Sequence, residues 1–238
     1  MFENLRNALE AEHAARIAST TEYIQSGYYP HWAEEHRKNP DDGLKRYSTP
    51  AKWAAYQAGT LSREKAVQLA TARALRELRK TYVAYAAKLD EATNAPTLEF
   101  ITINTDWKKS ATWGYNPSTI IVTNEADYFK GTASDCGYDK GPAAIADALN
   151  KSPAVLKMLY AAADKALEAG QTFDRLNECT VTWRYVLGYG SGYSIVPYFE
   201  GGCGVSCFES IFNACGYRFR NTASGRLFDA YIVEKKEA

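Results

Sequence analysis

Helical spacing that stops at Asn94-Ala95-Pro96, with strand-like alternation directly after it, constrains this chain more than any other feature. From Ser62 to about Thr93, Val67, Ala70, Ala74, Leu78, Tyr82, Tyr85 and Leu89 recur at helical spacing. That pattern predicts a long helix with one apolar stripe. Pro96 ends it, because proline disfavours helical backbone in the residue before it. Beyond the proline, TLEFITINTDW alternates and is rich in β-branched residues, so a strand is predicted.

Elements on either side extend the contrast. Phe2, Leu5, Leu9, Ala14, Ile17 and Ile24 predict a helix over residues 2 to 26. GYYPHWAEEHRKNPDDG then reads as a loop, and Thr49-Pro50 as an N-cap and first helical turn. After Pro96, SATWGYNPSTIIVTN suggests two strand runs around a Gly-Tyr-Asn-Pro corner. A helix from Pro142 to Asn150 follows, and then one capped by Ser152 and stopped by Gly170. TVTWRYVLGYGSGYSIVPYFEGG returns to strand character about a glycine-rich turn. Ser206 and Glu209 form a capping box for the helix CFESIFNACG. YRFRNTASGRLFDAYIVEKK closes as a hairpin turning at Ser224-Gly225. Helices first and strands later predict an α+β fold. Residues 1–95 form the helical N-terminal region, and 96–238 a domain with glycine-rich loops and a largely antiparallel sheet interleaved with three helices.

Charge narrows the function classes. Lys and Arg number 28 and Asp and Glu also 28, so bulk attraction to duplex DNA has no net charge behind it. The chain's 238 residues can bury a core without disulfides or metals to staple it. Seventeen Tyr and five Trp supply rings with a polar handle, suited to packing or to stacking on flat ligands. Five cysteines, at 136, 179, 203, 207 and 215, come without a secretory pattern or a membrane-length apolar run. Free thiols in a cytoplasm are therefore expected, with no membrane partner.

The stretch TASDCGYDKGPAAIADALN carries the clearest site signal. Gly137 and Gly141 allow a tight turn, Pro142 presets a helix start, and Lys140 adds an ammonium group. Helix starts offer unpaired N–H groups and partial positive charge, a fit for phosphate or carboxylate. The plainer alternative is that Asp139 caps the helix and Lys140 is solvated. EGGCGVSCFESIF is a second glycine-rich turn entering a helix, with Gly202, Gly204 and Ser206 at its start. Its third fingerprint glycine is replaced by Cys207, and no P-loop motif occurs, so neither dinucleotide nor P-loop binding is indicated. GYGSGY makes a third such edge. If the three converge, Trp113, Tyr115, Tyr138, Tyr189 and Tyr193 would stack on a base while Cys136, Lys140, Arg184 and the helix starts line the anion site.

Catalytic signatures are weaker. His13, His31 and His36 all precede the strands, and a Cys-His or Ser-His site would need that region folded over them. Cys203, Cys207 and Cys215 miss zinc-ribbon spacing, so no metal or cofactor is expected. Cys136 and Cys207 lie near predicted helix starts, which favours thiolate. Arg73, Arg76 and Lys80 share a face of the long helix at three- and four-residue steps. They read as a solvated face or, alternatively, as a nucleic-acid contact.

WKKSATWGYNPSTIIVT followed by GTASDCGYDKGPAAIADALN resembles a family of uncharacterised phage and prophage proteins of gut bacteria. The shared segments are W-K-x-S-x-T-W-G-Y-N-P and A-S-x-C-G-Y-D-K, over residues 107 to 150. In that family a small residue stands where this chain has Asp135, and a polar pair where it has Gly141-Pro142. The resemblance implies a mobile-element origin and a bacterial host cytoplasm, and supplies no activity. Together these readings predict a non-catalytic accessory protein that binds a nucleotide-like anion, in its sharpest form a sponge for a host immune nucleotide signal. The alternatives are a nucleic-acid-binding protein using the basic helix face and aromatic strands, and an enzyme acting on a nucleotide or metabolite. An inhibitor of a host protein and homo-oligomerisation are left open.

Overall fold

The structure, a computed structural model, describes residues 1–29, 39–98, 100–110, 114–123, 128–131, 146–171, 181–185, 193–199, 207–224 and 228–237. Among the described residues, helices α1 (Glu3–Ser26), α2 (Asp42–Tyr47), α3 (Pro50–Gln57) and α4 (Arg63–Asn94) lead. Strands β1 (Phe100–Ser110), β2 (Gly114–Thr123) and β3 (Tyr128–Gly131) follow. After them come α5 (Pro153–Glu168), β4 (Val181–Tyr185), β5 (Tyr193–Phe199), α6 (Cys207–Ala214), β6 (Tyr217–Ser224) and β7 (Phe228–Lys235). Residues 146–150 are also helical. The fold is α+β, and among the described residues every strand pairing is antiparallel. Five strands run in the order β3-β2-β1-β7-β6, and β4 with β5 makes a separate ribbon.

Two compact units emerge. One comprises Met1–Arg6, Ala86–Tyr185 and Tyr193–Ala238; the other comprises Asn7–Tyr85 and Val186–Gly192.

In the second unit, Ile24, Leu44, Ala66, Ala70 and Ala74 form a core flanked by Tyr47, Trp53, Tyr56, Leu61 and Val67. Thr49 caps α3 as expected, its hydroxyl accepting from the Lys52 N–H at 3.4 Å. The loop expected through Gly43 instead gives way to α2. There a Cβ on Gly43 would stand 1.9 Å from the Tyr23 carbonyl oxygen. The glycine is thus there for close backbone approach, and its presence imitates a turn signal. Along α1, Leu5, Leu9 and Ile24 are buried as the apolar pattern predicts, and the departure lies in the middle of the helix. Ala14 is exposed, while the polar Arg16 and Thr20 are buried one turn apart. The Arg16 guanidinium bonds Glu12 at 2.6 Å, which lets a charged side chain sit inside.

The sheet unit packs α5 and α6 against strands. Ile101, Ile103, Val233, Phe219 and Tyr217 are buried, and the register Ile101↔Val233↔Phe219 puts them on one face. From α6, Phe212 stacks on Phe219 with centroids 5.7 Å apart. The Gly-Tyr-Asn-Pro corner is not a corner: β2 runs straight through it, with Trp107 paired to Pro117 beside a register shift at Asp106/Trp107. A bulge is where a strand tolerates proline's missing N–H. Ser152 caps α5, accepting from the Val155 N–H at 3.2 Å, and Gly170 ends that region in the left-handed conformation at φ +70°.

Candidate functional site

Most of the residues singled out by the sequence lie outside the described residues: Trp113, Cys136, Tyr138, Lys140, Tyr189, Gly202, Gly204 and Ser206. His31 and His36 do as well. Tyr115 lies in β2, paired with Lys109 of β1. Arg184 and Tyr193 lie on the β4–β5 ribbon, where Tyr185 faces Tyr193 and the register shifts between Trp183 and Tyr185. Arg184 is therefore the residue at the irregularity in the backbone pairing.

What frames these residues is described, and one contact dominates it. The Asn150 carboxamide, at the end of the helical residues 146–150, grips the backbone of Phe199 at two points. Its Nδ2 donates to the Phe199 carbonyl at 2.6 Å, and its Oδ1 accepts from the Phe199 N–H at 2.8 Å. The side-chain amide thus pairs with both backbone groups of one residue, one as acceptor and one as donor. Phe199 is itself 1% exposed, with its ring 5.7 Å from Phe212 and 6.3 Å from Phe208 of α6. The grip thus joins three elements: helix 146–150, the end of β5 and helix α6. Sequence reading missed Asn150, because its partner is a backbone group that carries no sequence signature.

The basic face of α4 is described in full. Arg73 is exposed, but its Nη1 donates to the carbonyls of Ser48 at 2.9 Å and Tyr47 at 3.4 Å. It thereby satisfies carbonyls at the C-terminal end of α2, a structural task. Arg76 and Lys80 are exposed on the same face. With Lys52 and Thr49, the two arginines border a cavity of about 160 Å³.

Elsewhere, His13 stacks on Tyr82 with ring centroids 4.5 Å apart, and burial holds its pKa below the ordinary value. Cys215, just after α6, is a half-buried free thiol whose pKa burial pushes up to about 12. Among the described residues there is no cluster of three or more metal-ligating side chains, and no helix is long and apolar enough to cross a membrane. No protein-family model matches the chain, and neither a curated protein nor a solved structure matches it.

Proposed function

We propose that this chain is a non-catalytic binding protein for a nucleotide-like anionic ligand, seated where its two glycine-rich turns meet. The observation that supports this most is the two-point grip of Asn150 on Phe199. In sequence, the glycine-containing stretch bearing Lys140 precedes helix 146–150, and the stretch bearing Gly202 and Gly204 follows Phe199. Joining the exit of one turn to the entrance of the other favours their convergence. Two helix starts would then supply N–H donors to phosphate oxygens, with Lys140 and Arg184 as counter-charges. Tyr138, Tyr193, Tyr115 and Trp113 would offer ring faces to a base. The resemblance to phage proteins supplies the setting: capture of a host nucleotide signal without turnover.

Isothermal titration and thermal shift against a panel of cyclic and linear nucleotides test the reading. Saturable binding by at least one nucleotide, weakened in Lys140→Ala and returned unchanged in mass, supports it. No binding across the panel, or binding indifferent to Lys140→Ala, overturns it; a changed mass would turn the protein into an enzyme.

A second reading, nucleic-acid binding, draws on Arg76 and Lys80, exposed on one face of α4. It predicts salt-sensitive retention on DNA that is reduced in Arg76→Glu.

A further inference from the structure

A groove of about 460 Å³ opens in the sheet unit between α5, the turn after α6 and the ends of β6 and β7. Its lining is sharply one-sided in charge. Lys157, Lys165, Lys235 and Lys236 border it, and among the described residues no Asp or Glu does. In a chain whose charges sum to zero, four ammonium groups around one hollow mark a local positive field. The floor is the opposite in character: Met158, 7% exposed, lies there with Leu98, several alanines of α5 and the half-buried Cys215.

The folding chemistry explains how both features coexist. Lys235 pairs with the buried Tyr217 and is itself exposed at the groove, a placement in which a long charged side chain can combine apolar contact with a solvated head. Lys157 is half-buried, and its Nζ donates to the Ala95 carbonyl at 2.5 Å and the Thr93 carbonyl at 3.4 Å, where α4 ends. Lys236 Nζ reaches the Asn213 carbonyl at 3.4 Å. These bonds hold Lys157 and Lys236 at the rim, and Lys165, Lys235 and Lys236 are exposed there.

We propose that this groove binds a small amphipathic anion: an alkyl or aryl body on the methionine–alanine floor, with a carboxylate or sulfonate at the lysine rim. The chemistry discriminates against other occupants. A bare inorganic anion gains nothing from a floor of methyl and thioether groups, and lysines offer charge without the fixed fork that grips phosphate. A neutral apolar molecule would leave the one-sided charge without a purpose. The volume falls in the range of sites that enclose small organic ligands. This inference does not rest on the nucleotide reading, and it involves different residues.

Fluorescence titration of the full chain tests it, with anilinonaphthalene sulfonate as the anionic probe and N-phenylnaphthylamine as its uncharged counterpart. The sulfonate should bind saturably and be displaced by laurate below its micelle concentration. The uncharged ring should bind about tenfold more weakly or worse. Lys165→Glu with Lys235→Glu should weaken the sulfonate by about tenfold with the circular dichroism unchanged. Ala161→Phe, an exposed helix position on the lining, should block both probes. Lys140→Ala should leave the titration as it was, which separates this site from the nucleotide site. Equal affinity for the two probes, or insensitivity to both groove variants, overturns the proposal. So does displacement by inorganic sulfate as effective as by laurate, which would mark an ion site only. Binding to anionic vesicles without binding laurate would also overturn it in favour of a membrane contact.

Discussion

Phe2 holds a left-handed backbone at φ +60°, a conformation that costs a bulky residue strain. Its ring is 2% exposed and meets Tyr160 edge-on at 5.8 Å, so burial offsets the strain. Directly after it, the Leu5 N–H donates to Asp164 Oδ1 at 2.9 Å, and Asn4 Nδ2 to Oδ2 at 3.4 Å. A carboxylate from α5 thus caps the first turn of α1, where the helix dipole favours negative charge. Asp164→Ala should cost about 1 kcal/mol in urea melts, and Asp164→Asn less, since an amide oxygen still accepts. Equal costs for the two would mean that charge, not the hydrogen bond, sets the cap's worth. His13 sets a pH dependence. Its folded pKa lies below its unfolded one, so the unfolded chain binds the extra proton as pH falls through the unfolded value of about 6.5. Stability should therefore fall from pH 7 toward pH 5.5. His13→Phe, which keeps a ring against Tyr82, should flatten that part of the profile; an unchanged slope would assign it to other groups.

Helices α3, α4 and α5 were legible because their caps and stripes are local: Thr49-Pro50, Ser152-Pro153, and alanines at helical spacing. α2 and the straight course of β2 were not. In both, a turn-forming residue serves another purpose, Gly43 as a point of backbone contact and Pro117 as a residue beside a bulge. The distinction can be measured. Gly43→Ala places a Cβ 1.9 Å from the Tyr23 oxygen and 2.9 Å from the Ile24 Cα, so α1 and α2 must move apart. A cost of about 1–3 kcal/mol or more is expected from overpacking of this kind. Gly59 is the control. It has φ +73° with open space around it, so Gly59→Ala should cost only the left-handed strain of about 1–2 kcal/mol. If Gly59→Ala proves the worse of the two in denaturant melts, conformational freedom rather than close approach governs this unit. One edge of the large sheet follows a general rule: β6, which among the described residues pairs with β7 alone, exposes Arg218 and Arg220, charges that discourage further strand addition.

Across the whole chain, strand pairing is the level that sequence reading could not reach. The hairpins β1–β2 and β6–β7 announce themselves by proximity, but nothing local says that β1 pairs with β7, bringing Thr102 opposite Ile232. The Asn150 grip and the lysine rim share that difficulty, because both depend on segments that meet only after folding. The long-range pairing also has a kinetic consequence. Hairpins close in about 1–10 μs, while joining β1 to β7 must first overcome the loop entropy of most of the sheet unit's chain. In an antiparallel sheet alternate amides of a strand face alternate neighbours. Pulse-labelled hydrogen exchange during refolding should therefore divide β1 in two. Amides between Phe100 and Asp106 that face β2 should gain protection with the hairpin, and those that face β7 later, together with their β7 partners. Simultaneous protection of both sets would show instead that the β1–β2 hairpin has no stability before β7 docks. The buried Ile103, 0% exposed at the centre of this pairing, would then belong to the nucleus, and Ile103→Val should slow folding instead of speeding unfolding.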